Sequence, residues 1–415
     1  MIGTVIGIAM ITDSWLISGQ TKMSALFYLF LSLNICAAIS LVVFVCFNAR
    51  RARSHNLNVE FLALLDSRVR KREPAMKRLL ITIFVVLLFG VLTFAANPGL
   101  HVVKTYKLGG EGGWDYLKAD ADSRRLFISR ATHVIVMDMD SGKVVGDIAD
   151  TPGVHGIALA NDLGRGFISN GREGSVTIFD LKSLAMISKV KAVGENPDSI
   201  LFDPATNRVF TFNGRSNNST AIDAATGSIV GKIALDGKPE FAVSTGTGEI
   251  FVNIEDKSEL VKLDPKNLKV ENLWPLAPCE EPSGLAIDIK NHRLFAGCDN
   301  KMMAIVNADT GKVITTLPIG GGVDANGFDP DSGLAFASCG EGVLTVVSEE
   351  TPDKFSVAQN VTTERGARTM TIDAKTHQIF LVTAKFGPPP AATADQPRPR
   401  PAILPDTFEV LVVGK

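Results

Sequence analysis

Seven polar residues stand at one repeating register of this 415-residue chain: Asp115, His155, Asp198, Glu240, Ser283, Asp324 and Arg368. Each lies 12 residues before a phenylalanine that marks a repeat, save Glu240, which lies 11 before its own. Three aspartates, a glutamate and a histidine brought to one point would offer ligands to a hard divalent cation, or acceptors to a cationic or hydroxylated ligand. The plainer reading is that residues leading into a strand are polar because they are solvated turn positions. His155 sits beside Gly156 with no Ser-His-Asp or His-x-Glu spacing to make it a base or a ligand. His133, His292 and His377 fall in separate repeats and suggest no metal cluster. No catalytic residue is assigned on these grounds, and no cofactor is expected beyond a divalent cation at the ring.

What would bring the seven together is the repeat itself. Phe127, Phe167, Phe210, Phe251, Phe295, Phe336 and Phe380 follow one another at spacings of 40, 43, 41, 44, 41 and 44 residues. A period of roughly 40–50 residues that holds about four short strands is the mark of a propeller blade. A helical solenoid of the same period would carry apolar residues at helical spacing. Here Val134, Val136, Val144, Ile148 and Ile178 sit among β-branched neighbours, and Gly, Asp, Asn and Pro interrupt the chain every few residues. The fold class expected is therefore all-β, a seven-bladed propeller. If the first strand of each blade lies nearest the axis, the seven polar residues ring one mouth of the central channel.

The turns agree with this reading. Stretches such as ADADSRRLF, DPATNRVF and DPDSGLAF open on short polar residues that bond their own backbone, then deliver an aromatic into the core. The turns DMDSGKV, DAATGSI, DPKNLKV and NADTGKV precede the outer strands, with glycine expected to supply the positive φ. The seventh repeat lacks that turn after residues 408–413, while residues 102–108 form a strand without a blade. The two are expected to pair, closing the ring and setting the domain at 99–415.

The repeated Asp-x-x-x-x-Arg-x-Phe turns, the Thr-Gly-Lys-Val hairpin that ends at Val313, and Pro-x-Gly-x-x-x-Asp from Pro282 to Asp288 resemble the YncE-like, YVTN-repeat propeller family over residues 99–415. The resemblance implies an exported binding propeller; some relatives are linked to DNA and others to surface layers. Glu249 and Leu334 replace the repeat's arginine in blades four and six, so no role is carried over to the arginines.

Ahead of the repeats, residues 1–24 are a tail and residues 25–47 form a 23-residue uncharged apolar run, long enough to span a bilayer as a helix. Residues 48–78 carry nine Lys or Arg against three acidic residues, which by the positive-inside rule makes this loop cytoplasmic. Residues 79–96 form a second apolar run, either a transmembrane helix or, with Met76 as the start, a cleaved signal peptide. Both readings place the propeller in a periplasmic or extracellular space, anchored to the membrane or secreted. The chain's net charge of −2 hides a split, because residues 79–415 alone stand at −8. That disfavours nucleic acid as a partner, since phosphate binding needs clustered Lys and Arg.

Among the cysteines outside the apolar runs, Cys279 and Cys298 are the favoured disulfide, closing a loop of about 20 residues in an oxidising compartment. Cys298 with Cys339 is the rival pair. Seven prolines in residues 386–405 preclude a regular strand or helix there, so this stretch is expected to project from blade seven as a loop; a solvated insertion is the favoured reading, and a cover for the channel mouth or a partner site the alternative. The leading functional reading is a monomeric, non-enzymatic binding propeller that takes an unknown small molecule or protein at its loop face. The alternatives are a lactonase- or quinoprotein-like enzyme with a metal at the channel mouth, and a DNA-binding propeller.

Overall fold

The computed structural model describes residues 98–391 and 401–415. The apolar runs at 25–47 and 79–96, and the basic loop between them, lie outside the described residues. Seven four-stranded antiparallel sheets follow one another along the chain, each built in the order innermost to outermost. Blade one, for example, runs through Trp114–Asp120, Arg125–Arg130, His133–Asp138 and Val144–Ile148. The last sheet is completed from the other end: His101–Lys107 pairs antiparallel with Glu409–Gly414, in the register Val102 to Val413 and Lys107 to Glu409. The closure expected from the unpaired strand is the closure found. No helix among the described residues is long and apolar enough to cross a membrane.

A four-stranded sheet of this size buries its apolar side chains only against another sheet, and here that partner is the next blade. All seven marker phenylalanines are buried. Each sits in a cluster shared with the following blade. Phe127 meets Phe179 at 5.7 Å between ring centroids, Phe295 stacks on Phe328 at 5.3 Å, and Phe380 closes the circle against Leu126 and Met137 of blade one. The core is thus seven apolar seams arranged around an axis.

Polar staples reinforce the seams. In four blades an arginine two residues before the marker reaches across to the outer turn of the next blade: Arg125 donates to the Leu181 carbonyl at 2.7 Å, Arg165 to the Ala224 carbonyl at 3.1 Å, Arg208 to the Pro265 carbonyl at 2.7 Å and Arg293 to the Pro352 carbonyl at 2.6 Å. Where Glu249 stands instead, it pairs with Lys262 of its own blade. The aspartates that end the innermost strands do similar work. Asp120 accepts from Asn161, and Asp203 from Ser244 at 2.7 Å. Arg124 bonds Asp373 at 2.5 Å across the last seam.

Two expectations need correction. Glycine does not supply every positive φ in the outer turns, because Leu184 and Leu268 adopt φ of 62° and 54° in blades two and four. Their side chains explain it: a Cβ at Gly146 or Gly231 of the preceding blade would lie 2.1 or 2.6 Å from these leucine methyls, so a leucine peg fills the space that the glycine leaves. Nor does the proline-rich stretch simply leave the ring as a loop. At its root Phe386 bridges Ile403, Gly387 donates to the Ala402 carbonyl and Leu404 to the Lys385 carbonyl. Phe386 packs 6.0 Å from Trp114.

Cys279 and Cys298 are joined, with Cα atoms 5.6 Å apart, and Cys339 is a buried free thiol. Burial pushes that thiol up to about 12. Because every seam has the same construction, Phe251→Ala should lower the unfolding free energy by about 3–5 kcal/mol in urea titration. Replacing Cys279 and Cys298 by serine should lower it by about 3 kcal/mol, an effect that reducing agent reproduces in the unsubstituted protein.

Candidate functional site

In six blades the innermost strand carries a register shift directly after its first paired residue, for instance between Trp114 and Leu117, Pro197 and Ile200, and Pro239 and Ala242. A β-bulge bends its strand and re-aims a side chain. The polar residue of each blade falls inside this bulge, as the second residue of the strand. The seven are therefore not turn positions ahead of the strands, as the register alone suggests, except Arg368, which precedes the innermost strand of blade seven, Met370–Asp373.

The structure links the ring residues into two arcs. His155 lies between its neighbours, with Nδ1 2.5 Å from Asp115 Oδ2 and 3.6 Å from Asp198 Oδ1. On the other arc, Arg368 Nε lies 3.2 Å from Asp324 Oδ2, while Ser283 Oγ is 3.5 Å from Asp324 Oδ1. Glu240 stands between the arcs and pairs at 3.0 Å with Lys238, which also bonds Glu255. A metal ion shared by Asp115, Asp198, Glu240 and Asp324 is not what the ring forms. Only Asp115, His155 and Asp198 bring donor atoms within 4.8 Å of one another, and Glu240 and Asp324 stand outside that set.

Four carboxylates share this mouth with one guanidinium and one imidazole, and their crowding shows in their ionisation. Burial raises Asp198 well above the usual carboxylate range, opposed by His155 and reinforced by Asp115, Glu240 and Asp324. Burial likewise pushes Asp324 up to about 7, with Arg368 opposing and Asp115 and Glu240 adding to the rise. Glu240 is raised by burial, against the pull of Lys238. Burial alone would lower His155, but its bond to Asp115 and the charges of Asp198 and Glu240 carry it up to about 9. At neutral pH His155 is thus a cation. The carboxylates compete for too little positive charge.

Below the ring two aromatic side chains meet across the channel. Tyr116 follows Asp115 and Phe241 follows Glu240, and their rings meet at 5.3 Å although blades one and four stand on opposite sides of the axis. Burial, then the charges of Asp198, Glu240, Asp115 and Asp324, raise the Tyr116 hydroxyl well above its ordinary value, so it stays protonated. The ring becomes an acidic cup with an aromatic floor. Its rim carries one more device. Arg130 is buried over the Phe408 ring at 3.8 Å and donates to the carbonyls of Glu111 and Gly112, fixing the glycine-rich approach to blade one.

Tyr116, Phe241, Lys238 and Arg130 are the site residues that sequence reasoning missed. A signal existed for the first two. In the position after each ring residue the chain reads Tyr116, Gly156, Ser199, Phe241, Gly284, Ala325 and Thr369, and only the two aromatics are large enough to reach the axis. The histidines of separate repeats, which suggested no metal cluster, each lie beside an acid. His377 Nδ1 lies 3.1 Å from Asp329 Oδ1 and its Nε2 3.8 Å from Asp331 Oδ2, His292 bonds Asp309 at 2.8 Å, and His133 lies 3.6 Å from Asp147. The Asp329, Asp331 and His377 set brings three potential donors together at the far face of the ring, two of them exposed.

No family model matches the chain, and no curated protein matches it. Its fold is shared with solved propellers. The chain is similar to a protein described as the structure of U3-55K, at 8% identity and TM-score 0.63, covering 75% of this chain and 99% of that one. It is equally similar to the crystal structure of RRP9 WD40 repeats, at 8% identity and TM-score 0.62, covering 78% of this chain and 99% of that one. At such identity the likeness establishes the seven-bladed architecture with WD40-type neighbours, and leaves function to the site.

Proposed function

We propose that the chain is a non-enzymatic binding propeller of the YncE-like type, held outside the cytoplasm, whose acidic cup receives a cationic group from a small molecule or from a basic segment of a protein partner. The observation that carries this is the cup's own electrostatics. Burial and mutual repulsion raise Asp198, Glu240 and Asp324 above the usual carboxylate range, so an incoming cation offsets a repulsion already present. Tyr116 and Phe241 floor the cup with ring faces, which attract cations as well. WD40-type neighbours support the scaffold reading at the level of fold alone.

The extracytoplasmic location draws support from the basic loop between the two apolar runs. The Cys279–Cys298 pair fits an oxidising compartment. A metal-holding cup is the second reading, favoured by the closeness of Asp115, His155 and Asp198. A cation there must first displace the proton that His155 holds up to about pH 9.

Three outcomes are expected. Calorimetry with spermidine or a lysine-rich peptide should show binding that tightens between pH 6 and pH 8 as Asp324 gives up its proton, with proton release into the buffer; binding that weakens over that interval removes the cup reading. Asp324→Asn should abolish that binding. In the absence of a cation the same variant should be more stable than the unsubstituted protein at pH 8, by roughly 1–4 kcal/mol, and equal to it near pH 4. The sign follows from a folded-state value of about 7 standing above the unfolded one, which costs stability as pH rises. Alkaline phosphatase fused after residue 97 should be active and fused within residues 48–78 inactive; the reverse pattern would put the propeller in the cytoplasm.

A further inference from the structure

The aromatic floor has a second side. The innermost strands of all seven blades, Tyr116 and Phe241 included, line a chamber of about 420 Å³. Its volume falls in the range of small-molecule sites, roughly 300–1,000 Å³. The wall mixes polar and apolar surface, with Leu159, Phe202, Val243, Ile287, Phe328 and Ile372 lining it from six successive blades. Lys118 is the only charged residue in the wall, and Tyr116, Ser199, Ser244 and Thr371 are its hydroxyl-bearing members.

Lys118 has no hydrogen bond or ion pair among the described residues. The nearest carboxylate that acts on it, Asp120, is occupied: it accepts from the Ser123 hydroxyl at 2.6 Å, from the Asp122 amide at 3.3 Å and from Asn161 at 3.2 Å. Burial draws the Lys118 amine below its ordinary value, with Asp120 opposing. The Lys118 side chain is nonetheless exposed to the lumen, so its ammonium is open to an anion that enters the chamber. In the cup above, His155 and Arg368 are each answered by an acid from a neighbouring blade.

We propose that this chamber is a binding site for a small apolar monocarboxylate, whose hydrocarbon part fills the lumen and whose carboxylate pairs with Lys118. The site is separate from the acidic cup and opposite to it in sign. The channel thus holds two compartments, cation-seeking above the Tyr116–Phe241 floor and anion-seeking below it. Ser244 and Thr371, on blades four and seven, are placed to donate to the second carboxylate oxygen; Ser244 already bonds Asp203 and Thr371 accepts from the Ala119 amide, so the carboxylate must compete for Ser244.

A matched charge series tests this on the full-length protein. 4-Phenylbutyrate, 4-phenylbutanol and 4-phenylbutylamine share one hydrocarbon part and differ in charge. Calorimetry at pH 7 should show one equivalent of the acid bound, the alcohol at least tenfold weaker, and the acid weakened at least tenfold by Lys118→Gln but less than threefold by Lys118→Arg. Binding of the acid that Asp324→Asn leaves unchanged assigns it to the chamber. Equal affinity for acid and alcohol, or no binding of the acid at millimolar concentration, overturns the proposal without touching the cup. The amine should bind only through the cup and be lost in Asp324→Asn; an amine that persists in that variant and competes with the acid overturns the chamber's charge selectivity. Should Lys118→Gln fail to fold, the three-ligand series on the unsubstituted protein still decides.

Discussion

The seam between neighbouring blades is the interaction on which the rest of this structure depends. No sheet here has a core of its own. Phe127 is buried because Phe179 of the next blade lies against it, and Phe380 because Leu126 and Met137 arrive from the first. An apolar residue at fixed register therefore specifies a neighbour more than a blade, and seven such residues specify a closed circle once the last seam finds the first. The arginine staples and the leucine pegs of Leu184 and Leu268 refine the angle of each seam. Since a seam fixes two blades at once, the innermost strands are carried to a common radius, and their bulges aim side chains at the axis.

The acidic cup is a product of that geometry. Asp115, His155 and Asp198 come from three consecutive blades, 40 or more residues apart in sequence, yet His155 ends between the other two. Natural folds keep destabilising charge where a ligand will repay it. Asp324 at about 7 and Asp198 well above its usual range are such charges, and they make the unliganded mouth a place of stored repulsion. Tyr116 and Phe241 follow the ring residues directly and meet at 5.3 Å, so aromatic surface borders that repulsion on one side.

How much of this the sequence made legible follows from the range of each interaction. The phenylalanine period and the stranded pattern announced blade number and closure, because burial and turn chemistry repeat in every unit and so rise above local variation. The ring register was legible for the same reason. Its placement inside the strands was not, since a bulge inserts no residue type of its own and leaves the polar pattern of a turn. The pairing of Tyr116 with Phe241 joins blades three apart, and that distance around the circle is invisible until the circle is drawn. His377 beside Asp329 and Asp331 was missed because seams bring together residues from adjacent repeats that a repeat-by-repeat reading keeps separate.

The strand His101–Lys107, which precedes every blade in the chain, is the outer strand of the last one. During synthesis it leaves the ribosome early and must wait, unpaired, while six complete blades emerge after it. Until Glu409–Gly414 is made, the partial ring has two raw flanks, and no intermediate length of chain can be a finished molecule. Closure of the ring is consequently the last step of its assembly, because it waits on both of these strands.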